Sequence, residues 1–294
     1  MRKKISTTFN SLLFMFPSLI IIGIFLLYPL ITSAYLSFTD YNFVYSIKPV
    51  FTGLVNFRSL FSDTYFLIAL RNTINYTIVF FPLTILISFL LALLLNSKTR
   101  GVSFFQATLL LPIVVPLSLA GVMFTWIFAE DFGILNYILG DILKLPQITH
   151  FWLAEKETAL NSLAAVGIWK YFGFCVILFL AGLKAIPIEI YESAEIDGAN
   201  SLQRLIYIII PNLRGSFLLV GIWTIIQAIK VYDQVVVMTK GGPGNSTLVL
   251  YLYAWKNAFE YFEMGYAQTV ALFVGALAFI ISALFNLFIK SERK

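Results

Sequence analysis

Six long apolar runs separated by polar or mixed stretches organise this chain, at about 12–36, 73–95, 104–128, 159–183, 216–238 and 266–289. A helix needs about 20 mostly apolar residues to cross a hydrocarbon core of about 30 Å. Each run therefore predicts one crossing, and together they predict an all-α integral membrane protein with six transmembrane helices in a single domain, 1–294. The first run follows Met1-Arg2-Lys3-Lys4 as a secretory leader would. It is too long for one and lacks a small-residue cleavage site, which predicts an uncleaved span. Pro17 and Pro29 lie near its ends, where freed carbonyls are easier to satisfy than at mid-span. In the third run Pro112 and Pro116, four apart, each remove a backbone donor from one helix face and predict a kink or an unwound turn.

The stretch 37–72 mixes Asp40, Lys48, Arg58, Asp63 and Arg71 with aromatics. It predicts a structured loop with an amphipathic surface helix, 51–57 forming a turn packed on the membrane face. Lys240-Gly241-Gly242-Pro243-Gly244-Asn245 is an emphatic turn signal. Alternating loops differ in charge. The set made of the N-terminus, Lys98 and Arg100, the segment 184–214 and the C-terminus holds eleven Lys and Arg, and the other set, three longer loops, holds seven. Cytoplasmic loops are enriched in cations, so both termini and 184–214 are expected in the cytoplasm.

Composition supports a bilayer home: 60% hydrophobic residues, 12% charged residues and a mean hydropathy of +0.88 lie far outside the range of ordinary soluble domains. The net charge of +5 does not read as a nucleic-acid interface, because the cations cluster near span ends without interleaved aromatics on a polar surface. One histidine, His150, and one cysteine, Cys175, leave no intramolecular disulfide and argue against a metal site or a catalytic triad. No catalytic residues and no metal ligands are assigned.

The charged segment 184–214 between the fourth and fifth runs carries the most specific signal. From composition alone a solvated helical loop is an equal reading. Gly198 follows a helix-favouring stretch, where a left-handed residue would end one short helix and turn the chain into the next. Ser193, Ala194 and Ala199 would leave a low-relief surface for a partner, and Glu192 and Glu195, three apart, share a helix face. Glu192-Ser193-Ala194, Gly198, Ile208 and Ile210-Pro211 stand at the spacing of the EAA loop, and the segment resembles that loop of ATP-binding-cassette (ABC) importer permeases. Ser193 replaces the usual alanine and Ile210 the usual leucine, both small changes in volume. Asp197-Gly198-Ala199 after Leu183-Lys184-Ala185-Ile186-Pro187 is similar to the carbohydrate-uptake, maltose-permease F-like branch. So are Phe51-Thr52-Gly53-Leu54, Leu111-Pro112 with Pro116, Asp131-Phe132-Gly133 and Thr239-Lys240-Gly241-Gly242-Pro243.

The resemblance implies a type I ABC importer permease fold in a bacterial or archaeal plasma (inner) membrane. It implies a loop in which Glu192, Ser193, Ala194, Glu195, Asp197, Gly198, Ala199, Ile208 and Pro211 couple to an ATPase. It also implies the partners: a second homologous permease forming a heterodimer, an ATPase homodimer or heterodimer, an extracytoplasmic solute-binding protein that delivers a carbohydrate, and membrane lipid, with no nucleic acid. No Gly-x-x-x-x-Gly-Lys-Ser/Thr phosphate loop occurs in the chain, so ATP and Mg are expected in the partner ATPase and no cofactor here. Polar residues within spans usually face a cavity or a partner helix. Thr224, Gln227, Lys230 and Asp233 on the fifth span, the last two close enough to neutralise each other, and Trp169, Lys170 and Tyr171 on the fourth are the candidate substrate path. Packing alone is the competing reading of these residues. An ion-coupled secondary transporter is the alternative function, expected to show internal repeats or intramembrane acids, of which Asp233 is the one clearly placed within a span.

Overall fold

The structure, a computed structural model, describes residues 15–45, 48–96 and 101–291. The cationic N-terminus, the expected start of the first span at 12, the pair Lys98 and Arg100, and Arg293 and Lys294 lie outside the described residues.

Helix α1 spans Met15–Leu36. A two-stranded antiparallel ribbon, β1 (Thr39–Asp40) and β2 (Val50–Phe51), follows, then α2 (Val55–Leu60), α3 (Thr64–Leu95), α4 (Val102–Val114) and α5 (Leu117–Ile127). Beyond a stretch of short turns come α6 (Lys156–Lys184), α7 (Ile188–Ile196), α8 (Ser201–Arg204), α9 (Arg214–Ile229), α10 (Asp233–Met238), α11 (Leu250–Phe259) and α12 (Met264–Ser291). Among the described residues five helices are long and apolar enough to cross a membrane, or six if α4 and α5 count as one bent span. This agrees with the all-α membrane fold that the apolar runs predict.

The described residues fall into two compact units, one made of those up to Asp63 with Ala254–Phe273, the other of those from Thr64 to Tyr253 and from Val274 onward. In the first, the expected turn at 51–57 is the end of β2, a left-handed Gly53 (φ +66°) and the start of α2. Asn56 Nδ2 ties that helix back by donating to the carbonyls of Ser37 (3.0 Å) and Thr39 (2.9 Å). Thr269 donates to the Ser37 carbonyl at 2.9 Å, and Tyr266 donates to Asp63 at 2.6 Å.

In the second unit α3 runs alongside α6, and α9 packs on both. Helix α3 starts well ahead of the apolar run at 73: its 32 residues make about 48 Å of helix, longer than a hydrocarbon core of about 30 Å. Arg71 and Asn72 accordingly stand on this helix rather than in a loop. Phe66, Tyr76, Phe80, Leu163, Phe179 and Leu183 are completely buried along the seam. On α6, a side chain at Gly173 would run into the carbonyl oxygen of Leu109, so α6 and α4 meet backbone to backbone there.

Two spans are broken. Helices α4 and α5 meet at 98°, where Val115 is extended (ψ 125°) and Pro116 starts the second helix without an N–H to donate. Helices α9 and α10 are interrupted at Lys230, Val231 and Tyr232, the last at φ −152°, ψ −60°. Of these, the proline spacing foretells the first.

Candidate ATPase-coupling loop and substrate path

The loop between α6 and α9 is built from standard helix ends. Pro187 precedes α7 and fixes the entry, and Glu189 in the first turn complements the helix dipole. At the other end Gly198 N donates to Glu195 O (3.1 Å) and Ala199 N to Ala194 O (2.9 Å), a Schellman pair. That pair demands a left-handed residue, and Gly198 supplies it at φ +75°. Asn200 then caps α8 through a reciprocal box: its side chain accepts from Gln203 N and Gln203 Oε1 accepts from Asn200 N, both at 2.9 Å. A π turn, Leu205–Ile209, leads directly to Pro211, as another, Gly23–Leu27, leads to Pro29. The wider turn relieves the clash that a proline ring makes with the carbonyl four residues earlier.

Glu192, Ser193, Glu195, Asp197 and Gly198 are exposed, as is Ile196 at 87%. Ala199, Ile208 and Pro211 are half-buried. The expectation of a low-relief outer surface is corrected in part. Ala194 turns inward (7% exposed) and, with Ile208, lines a depression of about 340 Å³. The Ser193 hydroxyl is taken up by its own helix, donating to Glu189 O at 2.8 Å. Glu195 meets Arg204 at 3.8 Å, a long, exposed pair that contributes little by itself. The loop is joined to the spans by Ile186 and Leu213, which belong to a core cluster with Phe89, Phe179, Leu183 and Val220. Tyr191 packs on that cluster with its hydroxyl buried and unpartnered among the described residues. Its burial holds the phenol above the ordinary tyrosine range.

The substrate-path residues do not form one stripe. Lys170 is buried, and its ammonium donates to the carbonyls of Pro112 (3.1 Å), Ile113 (2.8 Å) and Val115. The break after α4 leaves those carbonyls without helical donors, and a cation at a helix C-terminus also matches the dipole. Lys170 thus clamps the broken third span, with its ammonium engaged by backbone carbonyls rather than free to face a cavity. Trp169 beside it packs edge-on against Phe124 at 5.1 Å, and Tyr171 packs edge-on against Phe80 at 6.1 Å. Both remain half-buried. Thr224 is fully buried, its hydroxyl donating to Val220 O (2.8 Å) and Gly221 O (3.1 Å) within its own helix. Gln227 is half-buried. Lys230 and Asp233 are exposed on opposite sides of the α9–α10 break, with no ion pair between them, because the interruption removes the helical spacing that would have aligned them.

Sequence reasoning passed over a buried polar node. Gln234, 2% exposed, donates from Nε2 to the Tyr76 hydroxyl at 3.0 Å, tying α10 to α3. An amide inside an apolar run was the available signal. Nearby, Asn72 Nδ2 donates to the carbonyls of Asn245 (2.8 Å) and Leu248 (2.9 Å), and Thr73 accepts from Leu250 N (3.0 Å). These bonds pin the glycine-rich turn onto α3.

An exposed helix–turn element in a charged loop, rooted in the core of a bundle with five or six apolar spans, is the arrangement expected of a transport permease. The chain belongs to the family of binding-protein-dependent transport system inner membrane components, which residues 84–294 match. It is 32% identical to a probable ABC transporter permease protein of Pyrococcus horikoshii, over 92% of each chain. It is 31% identical to the arabinooligosaccharides transport system permease AraP of Bacillus subtilis, over 92% of this chain and 85% of that one. With the sulfoquinovosyl glycerol transport system permease SmoG of Agrobacterium fabrum it shares 29% identity over 96% of this chain and 91% of that one. The fold is also that of a solved bacterial alginate ABC transporter in complex with a periplasmic protein carrying an alginate pentasaccharide. The TM-score is 0.81 at 21% identity, covering 97% of this chain and 96% of that one.

Proposed function

We propose that this chain is one of two homologous permeases of an ATP-driven importer. A binding protein outside the membrane delivers a sugar or oligosaccharide, and an ATPase pair on the cytoplasmic side, holding ATP and Mg, drives its passage. The observation that carries this reading is α7 with its Gly198 turn, which presents Glu192 and Ile196 to solvent while Ile186 and Leu213 root it among the spans. A push on such an element reaches α6 and α9 directly. Both termini and the loop are cytoplasmic in this reading, following the excess of cations on that side. The carbohydrate class is supported by relatives named for arabinooligosaccharides and sulfoquinovosyl glycerol. The chain itself carries no phosphate-binding loop for ATP.

Reconstitution of this chain with its partner permease, ATPase and binding protein in vesicles tests the proposal. Sugar uptake is expected only with ATP inside and all components present. Uptake that persists without the ATPase, or that runs on a proton or sodium gradient alone, would replace it with the ion-coupled alternative.

A further inference from the structure

At the end of α3 and α6 remote from the coupling loop lies a cavity of about 710 Å³, walled by the first half of α3, the first turns of α6 and the turn 244–246. The volume falls within the range of small-molecule sites. Its lining is polar in an unusual way. Arg71 and Lys156 bring two cations against one acid, Glu157, and among the described residues none of the three forms an ion pair. Asn75, Asn161 and Asn245 add carboxamides, and Ser246 has a buried hydroxyl that makes no hydrogen bond among the described residues.

The walls are fixed rather than loose. Asn72 and Thr73 hold the 245–250 backbone against α3, and the stem of Lys156 lies over Gly244, where a Cβ would come within 3.0 Å of its Cε. Glycine at 244, left-handed at φ +54°, therefore lets the lysine lie down across the turn. No aromatic ring lines the cavity; Ile68, Ile78, Val79 and Leu160 give its apolar surface. A neutral sugar gains much of its affinity by laying its C–H face on an aromatic ring. A solute that combines hydroxyls with an acidic group instead matches amides beside two unpaired cations.

We propose that this cavity binds the acidic, hydroxylated part of the transported solute, and that the chain serves an anionic sugar such as a uronate. The inference rests on the importer reading, in which this end of α3 and α6 faces outward, and it narrows the substrate class that reading leaves open.

The test uses the assembled permease–ATPase complex in phosphatidylcholine nanodiscs, without nucleotide or binding protein. Titration with digalacturonate is compared with titration of the neutral disaccharide galactobiose. Digalacturonate is expected to bind, and its Kd to rise about tenfold or more in Arg71→Gln with Lys156→Gln, and again as salt is raised. Both residues are exposed, so the pair of substitutions leaves the fold intact, and Gly244→Ala, which displaces the Lys156 stem, should weaken binding in the same direction. Equal binding of galactobiose, no binding of digalacturonate, or an unchanged Kd in the double variant would overturn the proposal. A site that phosphatidylglycerol discs block would belong to a lipid headgroup, which would overturn it too. None of these results touches ATP dependence. The vesicle experiment tests that separately, so failure of the cavity assignment and failure of the importer reading give different patterns.

Discussion

Gly198 concentrates the coupling argument in a single backbone angle. A Cβ built there meets no atom within 4 Å, so bulk is not what excludes other residues; the left-handed φ of +75° is. An L-residue pays roughly 1–2 kcal/mol for that conformation, a β-branched one more, while asparagine tolerates it. The prediction is a ranking in ATP-driven uptake: Gly198→Asn near wild type, Gly198→Ala reduced, Gly198→Val lost, with all three still present in the membrane. A ranking that follows side-chain size instead, with Asn worse than Ala, would make position 198 a contact with the ATPase rather than a turn. The neighbouring Glu195 carries a different expectation. Its pair with Arg204 is 3.8 Å long and exposed, so Glu195→Gln should change thermal stability by less than about 0.5 kcal/mol. Any loss of uptake in that variant would then report docking.

At the scale of elements the bundle depends on how its interruptions are satisfied. Lys170→Met keeps the apolar stem and removes the ammonium, leaving the carbonyls of Pro112, Ile113 and Val115 without their donor. Each buried carbonyl left unpaired costs about 1–3 kcal/mol. Thermal unfolding in detergent should therefore show a clear fall in melting temperature, largely restored in Lys170→Arg. An unchanged melting temperature, with uptake lost, would place Lys170 on the substrate path instead. The contact one turn away is less forgiving. At Gly173 the obstacle to a methyl group is the Leu109 carbonyl, a backbone atom that no rotamer change can move aside. Gly173→Ala is predicted to cost about 1–3 kcal/mol by overpacking, read in the same unfolding experiment. These two positions also mark where the sequence is silent. Pro112 and Pro116 announce the break in the third span because the missing donors are local. Nothing near Lys170 says that its partners stand 55 to 58 residues earlier, and a lysine facing water in a cavity would look the same.

Over the whole molecule, the features legible in the chain are those decided within a few residues: the apolar runs, the Schellman turn at Gly198, and the glycine-rich turn after α10. Features set by packing between elements were not. Ala194 is buried on the side of α7 that shares a depression with Ile208, and Thr224 is in the core because α9 packs on α3 and α6; neither orientation is written in helical spacing alone. The cavity beside Arg71 was hidden for the same reason, since its lining comes from two helices and a turn. Membrane orientation is also a property of the whole, and the chain is well suited to testing it. Its single cysteine, Cys175, is buried, so the native thiol should stay silent towards a membrane-impermeant maleimide. Phe132, 75% exposed, precedes α6, and Ile196, 87% exposed, follows it. The helix between them, 29 residues and about 43 Å long, is enough to separate the two sites by one full crossing. In intact cells Phe132→Cys should be labelled at once and Ile196→Cys only after permeabilisation. In permeabilised membranes, co-expressed ATPase should slow labelling of Ile196→Cys and leave Phe132→Cys unaffected. The reverse pattern of labelling would invert the topology and, with it, place the coupling loop on the side where no ATP is available.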